Sequence, residues 1–119
     1  MKAFLFSLGA LLLLFALVIC NSIYISNVTD KMMARAMEIS SLDDTDAFYE
    51  LCRLWEDNEI LISVSVPHKE SDELEKNIVI LKSKLENRSQ DELKESIALL
   101  QKSIDEITVH STVSIDNVF

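Results

Sequence analysis

The chain has 119 residues, a formal net charge of −9 and 49% hydrophobic side chains. Lys2 is its only charged side chain before Asp30, and the remaining part carries ten basic and twenty acidic side chains, a net charge of −10. Such a surface repels nucleic acid, whose binding depends on neutralising phosphates, and anionic headgroups, so it should stand off a lipid surface.

Between Lys2 and Asp30 lies a run that starts AFLFSLGALLLLFALVIC. A membrane-crossing helix needs about 20 apolar residues. Ala3 to Ile25 supplies 23 positions, of which Ser7, Asn21 and Ser22 are distinctly polar. In lipid the backbone must satisfy its own hydrogen bonds, which predicts a continuous helix. A signal-peptide core usually runs about 7–15 residues; this one runs 18 before Asn21, which favours a retained anchor over a cleaved leader. Cys20-Asn21-Ser22 still offers a weak cleavage site. Ile19 before Cys20 is too large for a lipidated cysteine. Residues 1–25 are therefore expected to be the anchor and 26–119 an extracytoplasmic domain. Lys2 and the amino terminus form the positive flank, which places the N-terminus in the cytoplasm of a single-pass cell-membrane protein.

Four amphipathic helices follow from the periodicity. The first, about 22–40, carries Val28, Met32, Met33, Ala36 and Ile39 and can be read as a continuation of the anchor. Ser41 to Asp46 reads as a turn, its aspartates offering an N-cap. The second, about 44–65, turns Phe48, Leu51, Cys52, Trp55 and Ile62 inward. Its end, ILISVSV, alternates like a strand, but no hairpin turn flanks it, and Pro67 stops it. The third, about 67–87, places Leu74, Ile78, Leu81 and Leu85 at spacings of 4, 3 and 4. The fourth, about 89–110, repeats Leu93, Ile97, Leu100, Ile104 and Ile107 at 4, 3, 4 and 3, with Ser89 and Glu92 as a capping box. A turn is expected at Asp116-Asn117. The fold class is thus all-α: a transmembrane helix continuing into a small antiparallel bundle of about four helices. Trp55, Ile78, Leu81, Leu100 and Ile104 should form its core, with Trp55 near Ile78.

The single glycine, Gly9, lies in the anchor. Phosphate loops, dinucleotide fingerprints and nucleophile elbows need glycine where backbone turns sharply or approaches a ligand, so the domain can build none of them. Cys20 and Cys52 make no disulfide framework, and Cys52 reads as a small buried hydrophobe. No Ser/His/Asp set is recognisable, and the chain is expected to be non-enzymatic.

Antiparallel pairing of the last two helices brings residue 68 opposite residue 109 or 110. His68 and His110 then share one end of the bundle with Glu70 and Asp72. Two imidazoles and two carboxylates are the chemistry of a divalent-metal site such as Zn²⁺. The alternative for these residues is structural: a helix C-terminus favours His110, and His68 caps the Pro67 turn.

The order of Trp55, then His68-Lys69-Glu70-Ser71-Asp72, then His110, then Asn117-Val118-Phe119 resembles an uncharacterised bacterial family of small membrane-anchored proteins, a domain of unknown function. Pro67 and Ser71 depart from that pattern, which has an acidic and an apolar residue there. The resemblance implies a bacterial envelope protein and supplies no activity. The function expected is a protein-interaction or scaffold module of the envelope, with an unidentified protein partner and the membrane bound through residues 3–25. The alternative is a ligand- or metal-sensing module at the His68/His110 end.

Overall fold

The computed structural model describes the backbone of residues 1–118 and the side chains of residues 1–111. Among the described residues there are four helices and no strand: α1 (Lys2–Glu38), α2 (Thr45–Ser65), α3 (His68–Glu86) and α4 (Leu93–Val118). The all-α bundle follows the hydrophobic periodicity. The molecule measures 67 × 21 × 18 Å, because the first half of α1 projects from the rest.

α1 is one helix of 37 residues with no break between the apolar run and the bundle. No glycine or proline lies between Ala10 and Val66 to interrupt it. Its apolar window has a mean hydropathy of 2.8 and is wholly unburied, long and apolar enough to cross a membrane. From Ser22 onward one stripe turns inward: Ser22, Ile25, Val28, Thr29, Met32 and Ala36 are buried. The spacing is that of a helix packed on neighbours.

The helices alternate in direction, and cross-helix hydrogen bonds fix their register. Ser22 Oγ donates to the Ser111 carbonyl at 3.0 Å, and Thr108 Oγ1 donates to Thr29 Oγ1 at 2.7 Å, tying α1 to α4. Asn21 Nδ2 donates to Ser65 Oγ at 2.9 Å, and Tyr24 Oη to Asn58 Oδ1 at 2.7 Å, tying α1 to α2. Asn77 Nδ2 donates to Ser103 Oγ and to the Leu99 carbonyl, tying α3 to α4. The α2–α3 seam is the most open of the four. Around these bonds Phe48, Leu51, Trp55, Ile62, Leu74, Ile78, Leu81, Leu100, Ile104 and Ile107 fill one core. Trp55 and Ile78 line the same groove at the α2–α3 seam, in keeping with the antiparallel pairing.

The alternating end of α2 is helical to Ser65. Ile62 is fully buried there, and that burial outweighs the β-propensity of the stretch. Val66 then turns extended (φ −124°, ψ 161°), the conformation a following proline imposes, and Pro67 is the N-cap of α3.

Three details of the turns differ from expectation. Asp44 sits at the N-cap of α2 but reaches backward. Its Oδ2 accepts the Ser40 and Ser41 backbone N–H groups, each at 2.9 Å. The Ser40 backbone N–H first, then the Ser40 hydroxyl and the Ser41 N–H, holds the Asp44 carboxyl below its ordinary range. Its contribution to stability is present above that ordinary range and is lost as pH falls through the lowered folded value.

Secondly, α4 begins at Leu93, not at Ser89, so the Ser89/Glu92 capping box does not form. Ser89 N–H instead donates to the Lys84 carbonyl at 2.9 Å and Arg88 N–H to the Leu85 carbonyl at 3.3 Å, a Schellman motif closing α3. Arg88 (φ 51°) and Glu92 (φ 58°) take the left-handed conformation that glycine usually fills. Thirdly, α4 runs through Asp116-Asn117 to Val118 with no turn. It continues alongside α1, whose Phe15, Val18 and Ile19 are half-buried while Leu11 to Leu14 are exposed.

Left-handed backbone costs an L-residue roughly 1–2 kcal/mol. The Arg88–Asp43 pair that Arg88→Gly would remove is exposed, at 3.3 Å, and worth little. After the extra unfolded-state entropy of glycine is subtracted, Arg88→Gly should stabilise the chain by about 0.5 kcal/mol. Urea unfolding checks this, and a clear loss of stability would contradict the strain at this turn.

Candidate functional site

The first turn of α3 and the last described turns of α4 meet at the end of the bundle nearest the apolar half of α1. His110 Nε2 lies 3.5 Å from Glu70 Oε1. His110 Nδ1 is 2.8 Å from the Glu106 carbonyl, one helical turn back. The other Glu70 oxygen, Oε2, is buried and has no hydrogen-bond partner. A buried carboxylate oxygen without a partner costs free energy unless something fills its place.

Of the four residues proposed as a metal set, the fold brings together Glu70 and His110 alone. His68 and Asp72 are exposed. Among the described residues no three His, Cys, Asp or Glu side chains converge as metal ligands. The reason is helical geometry. Residues four apart share a face, so His68 and Asp72 lie together, whereas Glu70, two residues from each, turns to the opposite side toward α4. The His68 carbonyl accepts the Ser71 hydroxyl at 3.2 Å, so this residue contributes to the first turn of α3.

Glu70 and His110 open into a cleft of about 350 Å³ between α3 and α4, lined also by Lys69, Glu73, Lys102 and Glu106. Its floor is the Asn77–Ser103 pair, and Ser103 Oγ donates onward to the Leu99 carbonyl at 2.9 Å. The cleft is mixed in charge and can hold a small polar group beside Glu70 and His110.

A second groove, of about 430 Å³, lies at the open α2–α3 seam. Trp55, Ile78 and Val79 form its apolar bed, and Tyr49, Arg53, Glu59, Glu75 and Lys82 its rim. Cys52 lies here half-buried; burial, with the Glu56 carboxylate, pushes its thiol up to about 11. At neutral pH it stays a thiol, which is a weak nucleophile.

The expected core residues Trp55, Ile78, Leu81, Leu100 and Ile104 are all buried. The periodicity did not single out the buried polar set of Ser22, Thr29, Asn58, Asn77, Ser103 and Ser111. Its signal was available: each falls three or four residues from apolar members of the inward stripes. Ser, Thr and Asn at such positions read as polar interruptions until a partner helix is placed opposite them.

No family model, no curated protein and no solved structure matches the chain.

The Glu70–His110 contact can be tested directly. His110→Ala removes the imidazole that lies 3.5 Å from Glu70 Oε1 and should cost about 1 kcal/mol. In the Glu70→Gln background the same change should cost much less, because the carboxyl group that the imidazole faces is gone. Denaturant melts of the two single variants and the double variant measure this coupling, and additive effects would show that the contact carries no energy.

Proposed function

We propose that the protein is a single-pass, membrane-anchored, non-enzymatic helical module that presents an acidic bundle outside the cell membrane for a protein partner. The observation that carries this reading is α1 itself. One unbroken 37-residue helix has a largely exposed apolar half and a half that packs on α2 and α4 in a folded domain. An exposed apolar surface of that size is unstable in water. Lipid is the environment that accounts for it, and Lys2 gives the positive-inside orientation with residues 26–119 outside.

Because no flexible linker separates span from domain, the bundle has a fixed orientation to the membrane-spanning half of α1. That suits a scaffold or docking module, which must hold its face at a defined height and angle. The Trp55 groove is the face best fitted to a partner, with apolar bed and charged rim as in protein interfaces. The likeness to a small bacterial envelope family belongs to this proposal.

The test has two parts. Glu86→Cys, at the far end of the bundle, made together with Cys20→Ser, should react with a membrane-impermeant maleimide in intact cells, the raised Cys52 thiol leaving little background. A photo-crosslinker at Tyr49 or Val79, exposed on the groove, should give one discrete adduct in native membranes. Labelling that needs lysed cells overturns the orientation, and no adduct above background overturns the partner reading.

A second reading is favoured by one observation, the buried and unpartnered Glu70 oxygen in the α3–α4 cleft. It makes the module a sensor of a small cation or ligand at Glu70 and His110. Saturable Zn²⁺ binding to the full chain, lost in both His110→Ala and Glu70→Gln, would support it; binding unchanged by either would end it.

A further inference from the structure

We infer that the occupant of the Trp55 groove is an amphipathic helix of a second protein, with basic side chains at its end nearer the membrane and acidic ones at its far end. This rests on the reading of the groove as a partner-binding face.

The charges of the rim are sorted by level. α2 descends to Ser65 and α3 climbs from His68, so levels in the seam count from the Pro67 corner, the end nearer the apolar half of α1. At 1.5 Å per residue, Glu59 and Glu75 lie about 9–10 Å from that corner, Trp55 and Ile78 about 15 Å, and Arg53 and Lys82 about 18–21 Å. The apolar bed thus has two carboxylates below it, one from each helix, and two cations above it, again one from each helix. Glu56, exposed on α2, falls between the two levels. Among the described residues none of these five charged side chains forms an ion pair within the chain, whereas Arg35 and Arg88 each hold a carboxylate.

The apolar surface is longer than the groove. Tyr49 and Val79 are exposed beside the bed. Ile60 and Val64, 82% and 78% exposed, follow Glu56 at intervals of four residues, along one side of α2. From Tyr49 to Val64 the strip runs about 22 Å, the length of four helical turns. The seam is a straight trough between two antiparallel helices, and a third helix fits such a trough by setting its ridge of side chains between theirs. An extended segment gains no main-chain bonds here, because the described residues offer no strand edge.

Charge decides between a partner and a second copy. Two copies anchored by α1 in one membrane stand parallel, and a two-fold axis along the membrane normal brings equal levels together. Arg53 and Lys82 would then meet their own equivalents, and Glu59 and Glu75 theirs, a like-charge contact at both ends of the bed. A helix with the opposite order of charges meets neither penalty. With a net charge of −10 beyond Lys2, the domain also draws in the basic end of such a helix from a distance.

The experiment places a photo-crosslinker at Val79 of the full chain in native membranes and reads the adduct yield in paired variants. Glu59→Lys with Glu75→Lys and, separately, Arg53→Glu with Lys82→Glu should each lower the yield about tenfold. Glu95→Lys with Asp105→Lys, at exposed positions on α4, makes the same charge change as the first pair and should leave the yield intact. Glu59→Gln with Glu75→Gln, which adds no repulsion, should give an intermediate yield, and unchanged Trp55 emission shows that each variant folds. Mass spectrometry of the adduct should locate a partner segment with apolar residues three and four apart, Lys or Arg at one end and Asp or Glu at the other. A yield undiminished in either groove pair, or diminished as much by the α4 pair, overturns the charge-matched helix and leaves the partner reading standing. An adduct of two copies of this chain, or a crosslinked segment without that pattern, overturns it as well. No adduct in the wild-type background overturns the partner reading and the charge-matched helix with it.

Discussion

The structure depends on one constraint: α1 joins an exposed apolar half and a packed amphipathic half in a single uninterrupted helix. Its first half exposes most of its leucines and phenylalanines and is long and apolar enough to cross a membrane. Its second half buries one stripe and exposes charge. The helix changes environment around Asn21 without changing conformation. The other three helices are arranged about that second half, and the register of each to α1, directly or through α4, follows from it.

The seam between α1 and α4 shows how this works chemically. It is not a dry leucine interface. Ser22 faces Ser111, and Thr29 faces Thr108, each pair sharing hydroxyl hydrogen bonds. Small hydroxyl side chains allow close approach, and their directional bonds fix sliding along the axis more tightly than apolar contacts do. Arg35 adds an exposed pair to Glu50 at 2.9 Å farther up. It is worth little beside the buried bonds.

Much of this was legible in the residues. The leucine and isoleucine spacings of α3 and α4, the uncharged run before Asp30 and the stop at Pro67 each have one dominant physical cause, and each element formed as that cause dictates. The antiparallel pairing also placed residue 68 close to residue 110 in height. What could not be read was rotation about the helix axis at that end. His68, Glu70 and Asp72 are close in sequence, but their angular positions send Glu70 inward and the other two to solvent. The α3–α4 turn departs from its local pattern for a related reason. Ser89 and Glu92 carry a capping pattern, yet the chain, with no glycine at this turn, closes α3 through left-handed Arg88 first, and only then starts α4. Local patterns lost wherever closing a tertiary turn demanded a costlier backbone.

Continuity of α1 from span to core is the central claim. Amide hydrogen exchange on the full chain in bilayers tests it most directly, residue by residue from Phe15 to Ala36. A rigid shared helix predicts slow exchange throughout, with the amides of Asn21 to Ser26 protected as well as those around Met32. Fast exchange confined to Cys20–Ser26 would reveal a hinge between anchor and bundle. That result would contradict the shared helix.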